Sequence, residues 1–348
     1  MTLKHALATA LLGAALAIPQ AASAQTTDVR FVLDWAWQAM HGPFLIALEK
    51  GYYEDEGLNV TIDRGFGSGD TISKVASGAY DIGFAEGTGL LKFNAENPDD
   101  KVKTVLVIND QSPTGVISLK ENGVAGPDDL PGKTISATQN AATVLAWPVF
   151  AKLNDLDPES IEYMFVEPNL RDVMVLQGQA DATFGFTTTT VLNMIAAGIA
   201  PDEVTYFTLA QHGLQPYSSG LIVREDYAAQ NPDVVKGFVA ATVKGLVEML
   251  EDPAEGLALL KAREALVDEA VEANRWALAE ELSILTPSVA EKGISEVDRA
   301  RFETAAGQIA EAFGLSIEPN MDDYYDGTFL PPLEARQVPE SAKERAAK

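Results

Sequence analysis

The chain has no cysteine in its 348 residues, which excludes disulfides, thiol catalysis, iron–sulfur centres and zinc clusters. A protein of this length must then hold together by burying a core. Histidine is nearly as scarce, with three in all; His41 and His212 lack partners at metal-ligand spacing. Basic residues are few: 25 Lys and Arg stand against 51 Asp and Glu, a formal charge of −26. Such a surface repels nucleic acid and anionic lipid. The acidic residues are dispersed with no block among them, so they read as solubilising rather than as an interaction tail. Beyond residue 24 no apolar run approaches the roughly 20 residues that cross a bilayer.

What is present begins with a leader. Residues 1–24 combine Lys4 and His5, an apolar run over 6–18, a Pro19-Gln20 break and the small-residue site Ala22-Ser23-Ala24, the pattern of a secretory signal peptide. The run is too short for a membrane span. Maturation is expected at Gln25, with the product free in the periplasm. The remainder, with a composition 47% hydrophobic and 22% charged, suits two globular domains of roughly 100–200 residues each.

Strand patterns at 29–33, 58–62, 80–84 and 104–108 alternate with helical patterns at 42–50, 71–77 and 88–96, as in a parallel sheet with crossover helices. A second series repeats the alternation: strands at 116–119, 133–137, 161–166 and 182–185, helices at 141–153, 170–177 and 191–197. Extended runs at 104–119 and 204–223 bracket it as crossing strands. Beyond them, apolar residues at helical spacing predict helices over 232–250, 253–263, 267–285 and 296–313, expected to pack on the first lobe. The expected division is a signal peptide at 1–24, lobe 1 at 25–112 and 213–337, lobe 2 at 113–212, and a mobile tail at 338–348. Two lobes joined by two crossing strands can hinge about a groove. An exported hinged protein suggests a ligand trap.

Two stretches then become recognisable: LDWAWQAMHGPFLIALEKGYYEDEGLNV at 33–60 and GAYDIGFAEG at 78–87. They resemble the NMT1/THI5-like and SsuA-like substrate-binding proteins of ABC importers. Ala47, Gly51-Tyr52-Tyr53, Gly57-Leu58 and Val60 fill the family's "A...GYF...GL.V" frame, and Gly78, Asp81 and Gly83 complete its "G..D.G". Gly132-Lys133-Thr134-Ile135 and Gly178-Gln179-Ala180-Asp181-Ala182 match later family motifs. The resemblance runs from about residue 29 to 223. It implies an α/β, type II periplasmic-binding-protein fold, with two lobes, a two-strand hinge and extra C-terminal helices, delivering a small molecule to an inner-membrane ABC permease. The expected ligand is a planar nitrogen heterocycle such as a thiamine-related pyrimidine precursor. Sulfonate, nitrate or an aromatic carboxylate is the alternative.

The same superfamily includes pyrimidine synthases, an enzyme reading that the residues disfavour. Those enzymes carry a lysine and a histidine after the "D.G" strand and a cysteine-rich loop; the corresponding positions here are Ala85, Gly89 and the cysteine-free stretch 213–220. The chain is therefore expected to catalyse no reaction, to need no cofactor or metal, to act as a monomer, and to contact neither nucleic acid nor the lipid bilayer directly.

Ligands of open parallel sheets sit beyond the carboxyl ends of strands, so the loops there supply the candidates. Trp35 and Trp37 offer π faces for a planar or cationic ligand, or else pack in the core. His41 is a hydrogen-bonding candidate or a helix cap. Ser68 lies in the glycine-rich 65–70 loop, whose amides could hold an anionic group, with Asp70 a candidate N-cap. Glu86 would select a donor or cation, or else is a solvated loop residue. Gln111, Thr138, Asn140 and Asn169 follow other predicted strands, Phe186 would wall an aromatic sandwich, and Tyr217 lies near the returning crossover. Arg171 is the available anion clamp; if it faces the cleft, a sulfonate or carboxylate becomes the better ligand.

Overall fold

The computed structural model describes residues 26–316 and 318–346. The leader lies outside them. The first lobe opens with β1 (Thr27–Val32), α1 (Gly42–Glu49), α2 (Tyr52–Asp55), β2 (Leu58–Asp63), α3 (Ser68–Ala76), β3 (Ile82–Glu86), α4 (Thr88–Glu96) and β4 (Val102–Val107). The second contains β5 (Thr114–Leu119), β6 (Thr134–Ala137), α5 (Ala142–Leu153), β7 (Glu162–Phe165), α6 (Pro168–Leu176), β8 (Ala182–Phe186), α7 (Thr187–Ala196) and β9 (Val204–Thr208). The chain returns through β10 (Ser219–Arg224) and continues as α8 (Glu225–Gln230), α9 (Pro232–Glu251), α10 (Ala254–Arg263), α11 (Glu269–Ala279), α12 (Pro287–Lys292), α13 (Arg299–Phe313) and α14 (Glu340–Ala346).

Each lobe is built on a five-stranded sheet, in the orders β2-β1-β3-β10-β4 and β7-β6-β8-β5-β9. In each, three parallel strands are followed by one antiparallel strand that has crossed from the other lobe: β10 between β3 and β4, β5 between β8 and β9. The runs 104–119 and 204–223 thus each resolve into a strand in one sheet, a link, and a strand in the other. Burial follows position. Edge strand β2 alternates buried Leu58, Val60 and Ile62 with exposed Asn59, Thr61 and Asp63, whereas central β3 is buried throughout, as expected where both faces are covered.

The first core is aromatic, with Phe31 against Phe44 and Phe238 and Tyr53 stacked on Phe238. The second gathers Trp147, Phe150, Phe184 and Phe207. The C-terminal helices do not all belong to the first lobe: α9 and α10 pack on α1, but α13 lies against both α4 and α5, and α11 against α7. Ala306 and Ile309 of α13 enter the second core, because the apolar stripe of α13 meets apolar surface from both lobes.

Two further expectations are corrected. The helix predicted over 267–285 leaves α geometry at Ala279 for a π turn, Glu280–Ile284. The tail is held over 338–345: Val338 and Ala342, spaced one helical turn apart, are 4% and 0% exposed in the first core. Arg345 pairs with buried Glu280 at 2.7 Å. Two small apolar residues and one charge suffice because a groove beside α9 is already there to receive them.

Candidate functional site

A small cavity of about 30 Å³ lies between the lobes. From the first lobe come Asp34, Trp35, Gln38 and Ser68; from the second come Arg171, Phe186, Thr189 and the start of α5 at Ala141 to Thr143. The strand-end rule puts them there: β1 runs into Asp34-Trp35, β8 into Phe186, and α3, α5 and α7 begin at the cavity with the positive ends of their dipoles.

The 65–69 loop is zipped to the strand end that it adjoins. Gly65 N donates to the Trp35 carbonyl and Gly67 N to that of Asp34; a Cβ on Gly65 would lie 2.0 Å from the Leu33 carbonyl oxygen, so only glycine fits. Gly69 N donates to the Asn140 carbonyl across the cleft. Three amides expected to hold an anion are therefore spent on protein carbonyls, and Asp70, rather than capping α3, pairs with Lys74 at 2.7 Å. Ser68 remains: its Oγ accepts from Glu86 N at 3.1 Å, leaving the hydroxyl hydrogen free to donate into the cavity.

Asp34 is oriented from behind. His41 Nδ1 accepts the Gln38 N–H at 3.2 Å, so Nε2 carries the hydrogen donated to Asp34 Oδ1 at 3.1 Å. Oδ2 finds no donor among the described residues. On the opposite wall, buried Arg171 donates through Nε to Asp172 (2.8 Å) and through Nη2 to Thr190 Oγ1 (2.7 Å). Its Nη1 has no acceptor among the described residues. The guanidinium lies 5.3 Å from the Trp35 ring centroid, a cation–π contact between lobes. A further interlobe bond joins Thr189 Oγ1 to Gln38 Oε1 at 3.0 Å. The cleft is closed.

Of the predicted site residues, Trp35, Ser68 and Phe186 line this cavity, and Arg171 faces it. Trp37 does not, because Arg263 covers its ring at 4.2 Å. His41 acts through Asp34. Glu86 is 1% exposed and turned inward, accepting from Thr88 N and Oγ1 at 2.8 Å. Burial pushes its pKa up to about 7, against the opposing pull of Thr88 and Ser112. Thr138 and Asn140 line a separate outer groove with Phe66 and Phe165. Asn169 is exposed near the start of α6, and the backbone N–H of Gln111 donates to the Ser283 carbonyl. Tyr217 lies under Arg301 and accepts from Asp298 N at 2.7 Å, facing a second, mainly apolar cavity beside Phe302 and Tyr324. Each displaced side chain is claimed by a partner distant in sequence or by a turn direction that spacing does not specify.

Asp34, Gln38 and Thr189 complete the site beyond the predicted set. Asp34 was legible as the residue before Trp35 at a strand end. The run Thr187-Thr188-Thr189-Thr190 was a signal too: β-branched hydroxyl residues have low propensity within a helix, and here each bonds a different group, Pro113 O, Met40 Sδ, Gln38 Oε1 and Arg171. Nothing in the sequence distinguished Gln38.

The NMT1/THI5-like family matches residues 38–256. A 4-amino-5-hydroxymethyl-2-methylpyrimidine phosphate synthase of Legionella pneumophila is 25% identical over 241 residues, covering 69% of this chain and 75% of that protein. A formylaminopyrimidine-binding protein of Halalkalibacterium halodurans is 27% identical over 235 residues, covering 67% and 69%. Among solved structures, a Candida albicans gene product with the generic periplasmic binding protein fold superposes with a TM-score of 0.65 at 14% identity, covering 88% of this chain and 98% of that one. The alkanesulfonate-binding protein SsuA of Xanthomonas axonopodis, bound to MOPS, gives 0.63 at 16%, covering 86% and 98%. The periplasmic-binding-protein fold expected from the sequence is the fold of the chain.

Proposed function

The chain belongs to the NMT1/THI5-like family, and from that premise we propose that it is an exported solute-binding protein that captures a small molecule between its lobes and passes it to an ABC permease. The 1–24 leader supports a periplasmic location. One observation carries the ligand reading: the cavity presents a carboxylate oxygen of Asp34 from one lobe and Nη1 of Arg171 from the other, neither with a partner among the described residues, with Trp35 and Phe186 also in its lining. A planar heterocycle that donates at one edge and accepts at the other satisfies both, as an aminopyrimidine does, and ring faces suit aromatic walls. The pyrimidine-binding relative supports the same class.

A sulfonate or carboxylate is the second reading, favoured because Arg171 faces the cavity. Against it, Asp172 already pairs with that guanidinium and Asp34 would confront the anion, which disfavours binding by several kcal/mol unless compensated. Binding is preferred over synthase activity, since the lysine, histidine and cysteine loop of the synthase pattern are replaced here by Ala85, Gly89 and 213–220.

A thermal-shift screen across aminopyrimidines, alkylsulfonates, nitrate and aromatic acids tests this. A ligand at 100 times its Kd stabilises by about 2.7 kcal/mol. An aminopyrimidine is expected to shift the wild type, with Asp34→Asn and Trp35→Ala each weakening binding about tenfold or more. A shift by sulfonates alone, or turnover of the bound compound, overturns the reading.

A further inference from the structure

Behind the cavity wall, α11 carries an ion pair whose members reach opposite lobes. Glu272 and Arg275 are 6% and 4% exposed, with Arg275 Nε 3.1 Å from both carboxylate oxygens. Glu272 Oε2 accepts from Ala39 N at 2.7 Å in the first lobe. Arg275 Nη1 donates to the carbonyls of Thr188 (3.1 Å) and Thr189 (2.8 Å) in the second, and Nη2 to Asn193 Oδ1 at 3.0 Å.

The helix that bears the pair is itself shared. Trp276 and Ala279 enter the first core, while Val271 and Leu278 pack against the apolar cluster of Ile117, Val191 and Met194 in the second lobe. Residues 272, 276 and 279 lie along one stripe of the helix and 271, 275 and 278 along the next. The anchors also adjoin the cavity: Ala39 follows Gln38, and Thr189 lines the cavity and bonds Gln38.

A buried ion pair is a poor device for stability, since well-packed apolar residues often do as well or better. Geometry is what it supplies. Its hydrogen bonds are complete only while the 39–41 turn and the first turn of α7 both rest on α11. Separating them leaves the pair itself intact but breaks either the Ala39 N–H bond to Glu272 or the Arg275 bonds to the α7 carbonyls and Asn193, and the loss of these charge-assisted bonds opposes opening.

We propose that Glu272 and Arg275 are positioning residues that hold Gln38 and Thr189 in register across the ligand cavity and set the balance between closed and open lobes. The proposal rests on the two-lobe capture reading, and its test uses no ligand, so its failure would leave that reading standing. The cysteine-free chain allows clean spin labelling at Phe66→Cys and Phe165→Cys, residues 47% and 50% exposed that line the outer groove from opposite lobes. Closed lobes bring the labels together and broaden the continuous-wave spectrum by dipolar coupling; open lobes sharpen it.

With Glu272 and Arg275 intact, unliganded protein is expected to show a broadened population. Arg275→Met and Glu272→Gln are each expected to lower the ratio of broadened to sharp species at least about tenfold. Arg275→Lys, which reaches fewer of the acceptors, is expected to fall between. Arg336→Met breaks the pair that buried Arg336 makes with partly exposed Glu296 inside the C-terminal portion, and its ratio is expected to remain that of the wild type. Unchanged ratios in folded Arg275→Met and Glu272→Gln, no broadened population in the wild type, or an equal loss in Arg336→Met would each overturn the proposal. If Arg275→Met does not fold, Arg275→Lys decides: a wild-type ratio there overturns the proposal.

Discussion

Asp34 and Glu86 are both buried carboxylates of the first lobe, yet their surroundings assign them different work. Asp34 keeps one oxygen on His41 and turns the other to the cavity. Glu86 spends both oxygens on Thr88 and reaches the cavity only through Ser68. With its pKa raised by burial from 4.5 to about 7, Glu86 binds its proton more tightly in the folded chain than in the unfolded one. That contribution to stability is complete below pH 4.5, is lost as pH rises through 7, and amounts to on the order of 3 kcal/mol. Glu86→Gln removes the titration. Its melting temperature relative to wild type is therefore expected to rise between pH 5 and pH 8, and a difference independent of pH would show that the carboxyl is not buried as described.

Among the elements, β8 and the start of α7 make the second wall, and the wall depends on a missing side chain. A Cβ on Gly185 would lie 2.4 Å from Thr190 Oγ1 and 3.0 Å from the Arg171 guanidinium. Gly185→Ala is expected to displace Arg171 and weaken binding of the screened ligand about tenfold or more, with circular dichroism little changed; undiminished affinity would place Arg171 outside the binding machinery. Element type was readable in advance because apolar period and glycine punctuation are local: α4 begins and ends at the predicted residues, and β2 extends its predicted strand by one. The site was less so. Trp35 and Trp37 stand two residues apart with the same chemistry, and only the approach of Arg171 to one and Arg263 to the other separates cavity wall from covered ring. The tail was misread for a related reason, since a groove beside α9 is visible only once α9 is placed.

For the whole molecule, a charge of −26 on two closed lobes means self-repulsion that the compact state must tolerate. Raising NaCl from 0.1 to 1 M shortens the screening length from about 10 to about 3 Å. The melting temperature is expected to rise by on the order of a few degrees; a flat or falling profile would mean that ion pairs such as Arg30–Asp81 outweigh the repulsion. The alternation of strand and helix, the family frame over 33–60 and 78–87, the freedom from cysteine chemistry, and the strand-end position of the site loops are all written in the amino-acid order. Those follow from periodicity, composition and backbone rules that act over short spans. Packing between distant parts of the chain is what brings Asp34 and Arg171 to one cavity, turns Tyr217 away from it, and lays α11 across both lobes behind it. Each of these depends on which distant group reaches a side chain first, and that is settled by packing rather than by spacing along the chain.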